Sequence, residues 1–394
     1  MPGGQTPGGM PWQGFDLAQL MRMLQSEGPV NWEVATQVAG WIALADPDTG
    51  QSIEPAPVEP ATAGAFEDLV RATQPAVADA TSLSQVHAIT SVVLDRRAWA
   101  DATLHALEPV LLALASKLQA PLTDLAAEEQ ESGTTDPLAA LVPMLAPILL
   151  GVQAGSMVGF LAQHALGQYD LPLPLQGEPV MRFVAANVDA FAADWTLPLD
   201  ELRYAVVLRE VVHAAQRTVP WVRDRLVRLS CSYVEAYELR VDALEEHFGN
   251  LDPTRLADLT DAGPLADPDA LLGAMRTERQ APLLEELQRF VSVLEGYADV
   301  VVESLGAQMI PAFDRIDEAL RRHRVERGQA AAFVDRLLGL ELDRDHYEQG
   351  VAFWHGVVER AGTEGLHRVW GDEARVPTRT EVEAPGLWLA RLEL

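Results

Sequence analysis

The sequence predicts a mainly α, multi-helical protein, and three observations support this. Apolar residues recur at spacings of three and four along most of the chain, the period of a helix with one buried face. Nothing reads as a series of alternating strands. The chain has 394 residues, 48% hydrophobic and 22% charged, which suffices for a sizeable core and is unlike a disordered composition.

The elements follow in order. Residues 1–14 are Gly/Pro-rich, with neither a basic nor an apolar leader segment, and read as a disordered tail. Residues 15–136 form an N-terminal helical region. Within it Phe15–Gln25 and Trp32–Leu44 are short helices, and Asn31 is suited to cap the second. Ala45–Gly64 is a Pro-rich acidic loop, and Ala65–Asp79, Ser84–Val93 and Asp95–Leu118 read as helices. The break EEQESGTTD (Glu128–Asp136) marks a candidate boundary, so that residues 137–394 form a second helical domain.

That domain opens with an apolar run, Leu138–Leu166, long enough to cross a bilayer. Gly151, Gly155 and Gly159 lie four apart in it, as on a helix face built for close packing. Pro143 and Pro147 would kink the run, Gln153, Ser156, Gln163 and His164 dilute it, and no Lys or Arg flanks it. A buried core helix is therefore expected, not a membrane span. Gln168–Pro179 is a loop, followed by helices at Val180–Trp195, Pro198–Val219 and Val222–Phe248. After the acidic loop Gly249–Asp269 come Leu271–Leu305, Ala312–Gly328, Ala330–Gly339 and Asp343–Glu359, with Asp343 at a helix start. The tail after Gly371 shows no clear period.

Charge narrows the function. With 29 basic and 58 acidic side chains the net charge is −29, which argues against nucleic acid and anionic membrane surfaces as partners. Cys231 is the single cysteine, which suits a reducing, cytoplasmic setting and a buried, inert thiol. His323 stands in RRHRVER, expected to be a solvated basic face.

Two segments carry possible chemistry. In Leu208-Arg209-Glu210-Val211-Val212-His213, Glu210 and His213 share one face of an otherwise apolar helix. In Leu294-Glu295-Gly296-Tyr297-Ala298-Asp299, Glu295 and Asp299 share another. Charges in apolar helices are costly unless paired or metal-bound. The template evoked is H-E-x-x-H, two imidazoles and a base on one helix with a carboxylate from a second helix closing a zinc shell. Glu210 would then be the base, His213 and Glu295 metal ligands, and Asp299 an orienting group behind them. Arg209 stands where the first histidine belongs; it has no lone pair for zinc and repels it. The same residues equally describe a buried Arg209–Glu295 or Arg209–Asp299 pair bridging two helices, with His213 hydrogen-bonded in the core.

LREVVH followed by VPW (Val219–Trp221), then LEGYADVV some eighty residues on, resembles the zincin-like metallopeptidase family typical of actinobacteria. That family includes a hydrolase group and a group associated with deazaflavin-cofactor biosynthesis. The likeness extends over most of the chain, through GPVNW (Gly28–Trp32), DLPLP (Asp170–Pro174) and LLGLEL (Leu337–Leu342). It implies a helical zincin-like domain and zinc-dependent hydrolysis of a peptide or amide bond, with Glu210 as base and His213 and Glu295 as ligands. One branch keeps H-E-x-x-H; another carries R-E-x-x-H, which this sequence resembles. The alternative is a zincin-fold protein without catalysis, whose cleft binds a peptide or protein partner.

Overall fold

The computed structural model describes residues 28–46, 51–52, 57–117, 119–120, 142–238, 277–325, 329–340 and 342–394. The tail 1–14, the expected helix Phe15–Gln25, the candidate boundary Glu128–Asp136 and the loop Gly249–Asp269 lie outside these residues. The described chain is mainly α, as its periodicity predicts.

Helix α1 (Trp32–Ala43) starts where expected, because the Asn31 side chain accepts the Val34 amide at 3.1 Å. Helix α2 (Pro60–Thr81) begins inside the expected loop. Pro60 holds the φ angle of a first helical residue and gives up an amide that would be unpaired there anyway. Ser84–Val93, expected to be helical, instead makes a 3₁₀ turn (Ser84–Ala88) and strand β1 (Ser91–Val93). Helix α3 (Arg96–Ala106) is capped by Asp95, which accepts the Ala98 amide at 2.8 Å, and residues 108–117 continue after a turn.

Helix α4 (Val142–His164) is formed by the apolar run. Strand β2 (Met181–Phe183) precedes helix α5 (Ala185–Asp194), so the helix expected from Val180 starts later. β1 and β2 pair in parallel, with Ser91 opposite Met181 and Val93 opposite Phe183. Three residues are too few for alternation to declare a strand.

Then come α6 (Leu199–Arg217), α7 (Pro220–Glu235), α8 (Gln280–Met309), α9 (Phe313–Val325), α10 (Gln329–Leu338) and α11 (Arg344–Ala361). Asp343 caps α11 as expected, accepting the His346 amide at 3.0 Å. Short helix α12 (Glu364–His367) follows, and the aperiodic tail after Gly371 folds into α13 (Arg379–Glu383) and α14 (Pro385–Leu392). They bring Trp388 onto Phe353 and Trp354, with ring centroids 5.4 and 5.6 Å away.

By length and composition α4 could cross a membrane, yet 61% of its apolar window is buried inside the protein. Its three glycines explain the packing. A Cβ added at Gly151 would stand 2.5 Å from the Asn31 carbonyl oxygen, one at Gly155 2.3 Å from that of Ala35, and one at Gly159 2.8 Å from Ile42 Cβ. Only glycine lets α1 approach this closely.

Two apolar cores result. One gathers Trp99, Leu161, Tyr233 and Phe290, and the other Phe66, Phe183, Tyr297 and Trp354. Helix α8 gives its first half to one core and its second half to the other, and α6 packs across it.

Candidate functional site

Helix α6 is buried along nearly its whole length, from Leu202 to Arg217, flanked by acidic residues in its first turn and Arg217 in its last, as the helix dipole favours. Its charged residues therefore sit inside the protein. Facing them, α8 buries Glu295 and Asp299 between Val293, Tyr297 and Val301.

Arg209 reaches across the seam. Its Nη1 donates to Asp299 Oδ1 and its Nη2 to Glu295 Oε2, both at 2.6 Å. Arg324 of α9 closes the group, with Nη1 3.2 Å from Asp299 Oδ1 and 3.5 Å from Glu295 Oε2. Two guanidiniums thus meet two carboxylates, all four side chains 8% exposed or less. Arg324 and Arg209 pull the Asp299 carboxyl below its usual range, against its burial. Burial pushes Glu295 up while the same two arginines pull it down.

Glu210 points elsewhere. Its carboxylate accepts the backbone amides of Gln168 at 2.9 Å and Tyr169 at 2.8 Å. The loop can close over it because residue 167 is glycine; a Cβ there would lie 2.3 Å from Glu210 Cδ. Burial, then the neighbouring Asp170, push Glu210 up to about 8, despite the two amides and Arg209. Its surroundings thus favour the protonated carboxyl near neutral pH.

His213 is fully buried, with Nε2 3.8 Å from Glu295 Oε2, beyond hydrogen-bond reach. Neither ring nitrogen makes a well-formed hydrogen bond, although Gln216 lies nearby. The expected core histidine is thus fully buried, with Gln216 as its polar neighbour. Burial, then Arg209, Arg217 and Arg324, hold its pKa well below the ordinary value.

The structure therefore brings Arg209, His213, Glu295 and Asp299 together and turns Glu210 toward the loop. Zinc requires lone pairs at about 2.0–2.2 Å from neutral imidazole or carboxylate. Here the inner lone pairs of Glu295 and Asp299 are taken by Arg209, and three guanidiniums bear on His213. Among the described residues no group of three or more His, Cys, Asp or Glu is placed to hold a metal ion. The residues as they stand do not fit zinc.

Sequence reasoning missed Arg324, counted among a solvated basic run. Arg321 and Arg322 do face solvent, but Arg324 continues the buried stripe of Ile316 and Leu320 at a spacing of four, which was the available signal. The loop amides at Gln168 and Tyr169 left no such signal, since any residue type supplies them.

The site thus lies where α6, carrying Arg209, Glu210 and His213, is crossed by α8, carrying Glu295 and Asp299. The chain belongs to the zincin-like metallopeptidase family, whose profile matches residues 30–389. Its fold is also that of a crystal structure from Chloroflexus aurantiacus described as a "putative hydrolase with a novel fold". The two are 24% identical with a TM-score of 0.60 over 92% of this chain and 99% of that one, a likeness of fold alone. No protein with curated function matches the chain.

Proposed function

We propose that this chain is a metal-free member of its family that binds a peptide or protein partner and does not cleave it. The observation that supports this reading most is Arg209, whose guanidinium holds both Glu295 and Asp299 at 2.6 Å in a closed, charge-balanced cluster. No carbonyl can be polarised there without first breaking that cluster. The outer members of the cluster, Asp299 and Arg324, floor a cleft of about 600 Å³ bordered by Arg321, Arg344, Tyr347 and His355. A cleft of this size and mixed character suits a short segment of a partner, with acidic or C-terminal carboxylate groups facing the arginines.

Zinc loading tests the proposal. After incubation with zinc and desalting, elemental analysis of the wild type should find well under one zinc per chain, and fluorogenic peptides should stay intact. Arg209→His removes the fixed charge, supplies an imidazole four residues before His213, and should retain more zinc. Binding to an array of acidic peptides should weaken in Tyr347→Ala with Arg344→Glu.

A second reading, a metallopeptidase-type hydrolase, draws on family membership and on one further observation. Glu295 Oε1 is buried without a hydrogen-bond partner and the His213 ring nitrogens make no well-formed bond beyond the approach of Gln216, and these are atoms a metal would recruit. Stoichiometric zinc in the wild type, lost in His213→Ala, together with peptide cleavage lost in Glu210→Gln, would replace the first reading by this one.

A further inference from the structure

A second cleft, of about 340 Å³, opens where the end of α4, helix α5 and helix α9 meet, lined by Arg96, His164, Phe191, Trp195, Arg322 and His323. We propose that it is a binding site for a small aromatic carboxylate. It is distinct from the cleft around Tyr347, although Arg322 borders both.

The charge argument comes first. In a chain of net charge −29, two guanidiniums and two imidazoles line this cleft, against one lining carboxylate, Asp194. Only the guanidiniums of Arg96 and Arg322 are permanent cations, so the lining carries two fixed positive charges against the one negative charge of Asp194, and an added anion is favoured. Charge repulsion is visible at His164: burial lowers its pKa, His323 and Arg96 lower it further, and the Phe160 carbonyl raises it. The other acidic groups facing these cations are Asp46, toward Arg96, Asp170, toward His323, and Glu318, which pairs with Arg322.

The mounting is rigid. Arg96 Nε donates to Asn187 Oδ1 at 2.7 Å. Buried Asn187 is itself fixed, donating to the Ala162 and Ala165 carbonyls at 3.0 and 2.8 Å. Nε is thereby occupied, and the Nη edge of a guanidinium held this way is the edge that grips a carboxylate with two parallel bonds. His323 is fixed as well, with Nε2 3.2 Å from Asp170 Oδ2 and its ring edge-on to Phe191 at 5.1 Å.

The aromatic half of the ligand follows from the wall. Phe191 and Trp195 lie 5.7 Å apart, and Trp195 is 37% exposed, leaving ring surface open at the cleft. A planar ring laid against them covers that surface while its carboxylate faces Arg96 and His164. The volume lies at the lower end of ligand sites, roughly 300–1,000 Å³, which favours a single-ring compound.

Benzoate is the probe. Calorimetric titration of the full chain at pH 6 should show saturable binding, with neutral benzamide at least about tenfold weaker. Binding should weaken toward pH 8 and take up protons as the anion re-protonates His164, read as a dependence of the heat on buffer ionisation. Arg96→Gln should lower benzoate affinity about tenfold, and His164→Gln, on a side chain that opens to solvent at the mouth of the cleft, should lower it severalfold and abolish the proton uptake. Equal binding of benzamide, no saturation by benzoate, or affinity untouched in both variants would overturn the site. Inorganic phosphate binding as tightly as benzoate would overturn its aromatic character.

Discussion

Where α4 meets α1 the helices touch through missing side chains, with Gly151, Gly155 and Gly159 set against the backbone of Asn31, Ala35 and Ala39. Where α6 meets α8 the seam is just as buried and is filled by Arg209, Glu295 and Asp299, with Arg324 from α9. The glycine seam needs only shape, and each contact there is worth a small packing energy. The charged seam has paid desolvation for four ions and recovers it only while every member is present. A fold that needed no more than helix packing would use the first kind twice. The charged seam, built around Arg209 on α6, is where the two readings of the site divide.

The comparison breaks most readily at Arg209. Arg209→Ala leaves Glu295 and Asp299 buried with Arg324 as their remaining partner, and should cost about 3–5 kcal/mol in urea unfolding. Adding Asp299→Ala should cost less than Asp299→Ala alone, because the interaction is already broken. A loss below about 1 kcal/mol for Arg209→Ala would mean that water reaches the cluster, and the contrast between the seams would fall.

The glycine seam should yield a smaller loss. A methyl at position 155 meets a backbone oxygen, which cannot rotate away, so α1 must shift. Gly155→Ala should destabilise by about 1–3 kcal/mol, the range of an overpacked core. Gly64→Ala, where a Cβ meets nothing within 4 Å, should be neutral or slightly stabilising. Equal melting temperatures for the two variants would show that α1 is not seated as described.

How much of this was legible in the sequence differs between the seams. The four-residue glycine spacing announces close packing, and the structure names the partner. The pairing of Arg209 with Glu295 and Asp299 was one of two readings of the same spacing, and geometry decides for it. Helix starts at Asn31 and Asp343 were readable because a cap is a local interaction. Strands β1 and β2 were not, being three residues each and defined only by a partner ninety residues away. The tail after Gly371 also escaped, since its helices are too short to show a period and are fixed by Trp388 entering the core.

The most specific effect sets two buried groups of α6 against each other, His213 beside the charged seam and Glu210 under the loop. His213 is held neutral in the fold, whereas in the unfolded chain it takes a proton below roughly pH 6.5. The unfolded state then binds more protons, so stability falls with pH below about 6.5, by about 1.4 kcal/mol per unit. Glu210 acts in the opposite sense. Folded, it keeps its proton up to about 8, while unfolded it releases it near roughly 4.3. Its contribution is full below the unfolded value and is lost as pH rises through the folded one. Between about pH 4.3 and 6.5 the two slopes oppose and cancel; between about 6.5 and 8 Glu210 acts alone and stability declines. His213→Met should expose the Glu210 slope over the whole window from pH 5 to 8. Glu210→Gln should leave a rise up to about pH 6.5 and a plateau above it. Other titrating groups are common to all three proteins, so differences between their urea-unfolding curves at stepped pH isolate this pair. Parallel pH profiles for the wild type and both variants would mean that neither group is held in the protonation state its surroundings impose, and that the seam is wetter than its geometry requires.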